Sequence, residues 1–174
     1  MASMRQLNEE VFYSDETIVK INQENIQWLK NKALANARNR SRLCAHKDIN
    51  ALVHEMLIIH ARDAYVRPHK HIGKSESFHV VEGEADIIIF NQQGDIKEVV
   101  SMGDYSSGKN FYYRITDALY HTVMITSEIL VFHESTNGPF VRSDTIFAPW
   151  SPEEDNHAMA KEFMNKLEKQ TKEI

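Results

Sequence analysis

The sequence predicts an all-β sandwich or barrel with one helix before it and one after it. Three observations carry this expectation. Over about 48–140, short apolar segments alternate with polar turns, the pattern of antiparallel sandwiches and barrels. Ahead of them Ile26, Leu29, Ala33 and Ala37 fall at helical spacing behind Asn22, a residue type that caps helix N-termini. Beyond them Met159, Phe163 and Leu167 repeat every four residues among lysines and glutamates, an apolar stripe on a solvated helix. The expected organisation is a single domain: an extension over 1–47, a β core over 48–140 and a helical tail over 141–174.

The first helix is expected over about 23–37, with Asn39 near its end. The β-rich run 17–21 ahead of it is suited to covering a sheet edge, in its own chain or in a partner. Strands follow over 51–60, 77–81 and 85–90, the last two flanking a turn at Glu82-Gly83. Asn91-Gln92-Gln93-Gly94 reads as a hairpin loop with Gly94 left-handed. Strands over 96–100, 111–115, 121–126 and 128–133 complete the set. In the tail, Ser151-Pro152-Glu153-Glu154 reads as a capping box with Pro at the first helical position.

Composition narrows the function classes. With 174 residues, 42% hydrophobic and 26% charged, the chain is long enough to bury a sizeable core. Its longest purely apolar runs, such as 56–59 and 87–90, are four residues, far below the roughly 20 of a membrane span. Residues 1–10 lack the apolar stretch of a signal peptide. Twenty basic against 25 acidic residues give a net charge of −5, which weighs against nucleic acid as a partner. The single cysteine, Cys44, forms no internal disulfide, and a reducing cytoplasm is the expected compartment. Nine histidines direct attention to metal or acid–base chemistry.

The informative segment runs from Pro68 to Gly83. Residues two apart in a strand point to one face, about 6.6 Å apart, so His69 and His71 present two imidazoles on one side. Four residues separate His71 from Glu76, enough for a tight turn that returns the carboxylate beside them. Two imidazoles and a carboxylate suit a first-row divalent metal. His121, at the head of a strand whose His121, Val123 and Ile125 alternate inward, is the best fourth ligand, with Asp117 and His133 as competitors.

This spacing, His69-x-His71-x4-Glu76-x6-Gly83, resembles the first cupin motif at every specified position after its opening glycine, which is absent. The second motif is matched less fully. Gly103-Asp104 resembles its opening and His121 its histidine, but seventeen residues lie between Gly103 and His121. Thr116-Asp117-Ala118 replaces the Pro-x-Gly turn, and Ile125 stands where the motif has asparagine. More of the chain resembles the WbuC-type cupin-fold metalloproteins found with bacterial surface-polysaccharide genes. The matching parts are 40–46, 65–71, Glu134, Gly138-Pro139-Phe140 and Phe147-Ala148-Pro149-Trp150. The resemblance implies a double-stranded β-helix, or jelly-roll barrel, with one divalent transition metal (Fe, Mn, Zn or Ni) on His69, His71, Glu76 and His121. It implies less about the reaction, since one fold hosts many chemistries.

The expected function is a metal-dependent enzyme acting on a sugar, sugar nucleotide or related oxygenated metabolite by Lewis-acid isomerisation or epimerisation. Iron-dependent oxygenation and a non-catalytic binding module are the alternatives. Tyr65, Tyr113 and Tyr120 are the candidate catalytic groups. For an anionic or polyhydroxylated ligand, Arg67 shares the parity of His69, while Arg40 and Arg42 lie in the acid-free basic run 29–47. Unpaired barrel edges predict a homodimer.

Overall fold

The computed structural model describes residues 4–173. In chain order its elements are β1 Met4–Gln6, β2 Val11–Ser14, α1 Gln23–Leu34, β3 Arg40–Cys44, β4 Val53–Ala61, β5 His69–His71, β6 Glu76–Glu82 and β7 Glu84–Phe90. Then come β8 Ile96–Gly103, β9 Tyr112–Ile115, β10 Tyr120–Ile125, β11 Ile129–Asn137, β12 Thr145–Phe147 and α2 His157–Thr171. A seven-stranded sheet runs β1-β2-β3-β4-β11-β6-β9, and a five-stranded sheet runs β12-β5-β10-β7-β8. Neighbouring strands are antiparallel except β2 and β3. The fold is a mostly-β jelly-roll barrel with a helix near each end, as the strand pattern predicts.

Period-two alternation divides the side chains between an interior and two outer cores. Met56, Ile58, Phe78, Val80, Ile87, Ile89, Val123, Leu130 and Phe132 fill the space between the sheets. The alternate residues Leu43, Leu57, Ile59 and Val131 pack under Leu29 and Ala33 of α1. On the other sheet Ile88, Phe90, Tyr120 and Met124 pack under Leu167 of α2, with Trp150 beside them. Each fully buried Leu or Ile contributes about 1.5–3 kcal/mol. That outweighs what propensity gives a 12-residue helix, so α1 is held by its buried face.

Local chemistry sets the ends. Asn22 Oδ1 accepts from Asn25 N while Asn25 Oδ1 accepts from Asn22 N, a reciprocal cap. The helix stops at Leu34, short of residue 37. Asn36 Nδ2 ties Lys32 O to Arg40 O, and Asn39 turns left-handed at φ 53°. Gly83, between β6 and β7, has φ +85°, and a Cβ there would lie 2.2 Å from Ile129 O. The glycine that closes the first motif is therefore required by both backbone and space.

Three expectations are corrected. Residues 17–21 form no strand; Val11–Ser14 instead extends the large sheet beside β3. The helix α2 opens at His157 under Asn156, whose Oδ1 accepts from Met159 N, not at Ser151. Residues 151–154 are committed to tertiary contacts: Ser151 Oγ donates to Ala148 O, Pro152 O accepts from Tyr65, and Glu153 and Glu154 pair with arginines. Finally, β5 begins only at His69, so parity with His69 does not extend back to Tyr65 and Arg67.

Candidate metal centre

His69 and His71 alternate on β5, and His121 of β10 sits directly opposite His69 in the ladder. Glu76 opens β6 on the facing sheet. Gly73, at φ +67°, makes the turn between β5 and β6. Ser75 anchors its exit, donating from N and from Oγ to Asn137 Oδ1. One ligand atom from each of His69, His71, Glu76 and His121 lies within 4.8 Å of the others. His71 Nε2 is 3.2 Å from Glu76 Oε2, and His121 Nε2 is 3.7 Å from Oε1. The cluster could hold a metal ion. Of the two competing ligands, His133 lies on the outer face paired with Glu55, and Asp117 is exposed outside the cluster.

The outer ring nitrogens fix the inner ones. His69 Nδ1 is 2.8 Å from Arg67 O, and His121 Nδ1 is 3.0 Å from Leu119 O. A carbonyl only accepts, so each Nδ1 carries the proton and each Nε2 presents a lone pair. His71 Nδ1 lies 3.2 Å from Thr145 Oγ1. Nitrogen lone pairs thus converge on a carboxylate, the donor set of a divalent transition metal with its outer hydrogen bonds in place. Burial, then the neighbouring His121, pushes His69 down to about 4, so it stays neutral. Burial alone would raise Glu76, but the His71 hydrogen bond and the three imidazoles outweigh it and hold Glu76 at about 2.

Two further groups face this centre. Tyr113 of β9 donates from its hydroxyl to Glu76 Oε1 at 3.1 Å. Burial, then the charges of Glu76 and Glu134, raise its phenol well above its ordinary value. Glu134 of β11 lies in register between Phe78 and Met56, both interior residues. Burial, then the Glu76 charge, pushes Glu134 up to about 8, against the opposing charge of Arg42. Reading for metal ligands passes over Glu134 as a working group. Its signal in the sequence is an acid that continues the inward parity of Leu130 and Phe132.

The remaining candidates separate. Tyr65 donates to Pro152 O, and Tyr120 packs in the outer core against Trp150 and Phe90. Neither joins the cluster, because Tyr65 precedes β5 and Tyr120 has the parity opposite to His121. Arg67 lies over Phe147, bonds Ser151 Oγ and pairs with Glu153. Arg40 pairs with Glu10 and Glu154. The Arg42 side chain has no hydrogen bond or ion pair among the described residues, and its charge acts on the interior Glu134 and Cys44.

A family model described as a domain of unknown function, DUF6016, matches residues 21–102. That span holds His69, His71 and Glu76 but stops short of His121. No curated protein matches the sequence. Oxalate oxidase in complex with the substrate analogue glycolate is similar in structure, with a TM-score of 0.50 and 15% identity over 66% of this chain and 58% of that one. A protein from Shewanella oneidensis gives a TM-score of 0.49 at 10% identity, covering 70% of this chain and 75% of that one. Oxalate decarboxylase from Bacillus subtilis gives 0.45 at 18%, covering 57% and 24%. This chain spans just over half the length of the oxalate oxidase chain. No helix among the described residues is long and apolar enough to cross a membrane. With two curled sheets and a polar cluster between them, the chain has the cupin fold.

Proposed function

We propose that the protein binds one divalent transition metal through His69, His71, Glu76 and His121 and acts as an enzyme on a small anionic or polyhydroxylated metabolite. The observation that carries this reading is the convergence of imidazole Nε2 lone pairs on the Glu76 carboxylate. The bound metal would supply Lewis-acid polarisation of a carbonyl or hydroxyl oxygen.

The chain's own groups complete the chemistry. Glu134, whose carboxyl is raised by its burial, is the interior acid suited to carry a proton to or from the ligand. Tyr113 orients Glu76 and, with its phenol kept neutral, remains a donor. Arg42, with its guanidinium unpaired, suits an anionic group of the ligand. Isomerisation or epimerisation of a sugar or sugar nucleotide needs just such a proton carrier beside a polarised oxygen, and the resemblance to WbuC-type proteins supports that substrate class.

The test is elemental analysis of protein expressed in medium supplemented with Fe, Mn, Zn and Ni. About one metal per chain is expected. Protein that stays metal-free and takes up none of the four on titration refutes the reading.

A further inference from the structure

The face of the large sheet opposite the metal cluster carries a second polar site. Successive strands β9, β6, β11 and β4 place Arg114, Ser77, Ser135 and Glu55 in one row across it. The next positions along are Ser75 and Asn137, with Val53 opposite Asn137. Farther along the same face, α1 covers Leu57, Ile59 and Val131. At the serine end two small side chains stand between larger ones, leaving a solvent-open hollow of about 190 Å³ lined by Val53, Ser75, Ser77, Arg114, Ser135 and Asn137, with Thr136. At roughly 30 Å³ per water, this is the space of about six waters.

Its polar groups are mostly donors left over from local bonds. Arg114 gives one N–H to Ser75 Oγ and pairs with no carboxylate among the described residues. Ser77 Oγ accepts from the Tyr112 hydroxyl at 3.2 Å, which leaves its own proton free. Asn137 Oδ1 must be the oxygen, because Ser75 N donates to it, so Nδ2 is the spare end. The nearby Lys74 ammonium is already committed, donating to Asn137 O and Pro139 O and pairing with Asp144, so Arg114 is the unmatched cation of the hollow. The carboxylate of the row, Glu55, turns to His133 and also takes the Ser135 hydroxyl.

We infer that this hollow is a binding site for a small oxyanion, a phosphoryl group borne on a short polar body. Arg114 supplies the planar fork, and Ser77 Oγ–H and Asn137 Nδ2–H supply two further donors. The volume admits a phosphate with a few more atoms. Ser75 and Ser77 bracket Glu76 in sequence, but their side chains point away from its carboxylate. The hollow is therefore separate from the cluster of ligand atoms.

The experiment is a titration of inorganic phosphate into metal-free protein at constant ionic strength. It is followed by the backbone amide NMR signals, and repeated with Arg114→Ala, Arg114→Lys and Arg42→Ala. Arg114 is exposed on an edge strand, so its substitution leaves the core intact. The expected result is saturable shifts at Ser75, Ser77, Ser135 and Asn137. Arg114→Ala should weaken them at least about tenfold, Arg114→Lys by less, and Arg42→Ala not at all. Shifts that fail to saturate, that survive Arg114→Ala, or that instead follow Arg42 overturn the inference.

Discussion

His60 and His69 are both interior imidazoles, and burial pushes each down to about 4. The levels of the sheet they occupy lie far apart. Along β11 the residue paired with His60 is Leu130, and the one paired with Glu76 is Thr136. Six residues of strand make about 20 Å. At its end, His60 meets the Phe132 ring edge-on, with the charges of Arg42 and Arg38 opposing its protonation. Its Nδ1 is buried with no partner among the described residues. At the other end, His69 has Arg67 O behind it and His71, His121 and Glu76 in front. Equal resistance to protonation thus arises from burial in both places. What distinguishes a ligand from a packed histidine is convergence of several donors, each oriented from behind.

The largest effect expected from this contrast is on metal affinity. His121→Ala removes one of the four donors and should lower affinity by more than about 100-fold, beyond what losing an outer hydrogen bond costs. His60→Leu should leave affinity unchanged. Titration of each apo-protein against a competing chelator reads both. Equal losses in the two variants would erase the distinction between the two ends of the barrel.

Next in size is acid stability. The folded pKa of His60 lies near 4 and the unfolded value near 6.5. Between those values the unfolded chain binds the extra proton, so stability is full above about pH 6.5 and falls as the pH drops toward 4. The slope is about 1.4 kcal/mol per pH unit. His60→Leu removes this penalty along with the orphaned Nδ1. At pH 5 it should gain about 2 kcal/mol relative to the parent beyond any difference at pH 7. Urea unfolding at the two pH values measures it, and an equal difference at both would show that His60 does not titrate on unfolding.

The contrast also explains what was readable in the sequence. His69, His71, Glu76 and Gly83 form one local segment, and strand parity plus one turn is enough to bring three ligands together. His121 lies far along the chain and meets His69 only through the β10–β5 register. Its inward alternation with Val123 and Ile125 was visible, although its neighbours depart from the second motif. Glu134 reaches the interior by the same alternation in β11. What alternation could not supply was where strands begin. Parity with His69 suggests that Arg67 faces the cavity, whereas the chain ahead of β5 directs Tyr65 and Arg67 to the C-terminal segment. Short edge strands such as β1 and β12 have too few residues for a period to emerge. Ser151-Pro152-Glu153-Glu154 carries a valid capping pattern, but its carboxylates pair with Arg67, Arg38 and Arg40. Those tertiary pairings override the local preference.

The smallest expected effect is the most selective. Tyr113→Phe removes one hydroxyl that donates to Glu76 Oε1 at 3.1 Å and leaves the ring. That ring packs on Phe78 at 5.5 Å between centroids, and a phenyl group can keep the same contact. The metal-free protein should therefore change little in stability apart from the lost hydrogen bond, worth about 1 kcal/mol. Metal binding should respond more. Glu76 loses the group that orients one of its oxygens, and outer partners of metal ligands contribute about 10–100-fold in affinity. Because the ligand set itself is untouched and only one outer hydrogen bond is lost, the lower end, about tenfold, is expected. Thermal unfolding without metal, together with chelator competition, separates the two effects. An unchanged affinity would mean that the four inner groups alone set His69 apart from His60. A tenfold loss would mean that the second layer of hydrogen bonds, which His60 lacks on its own ring, is part of that difference.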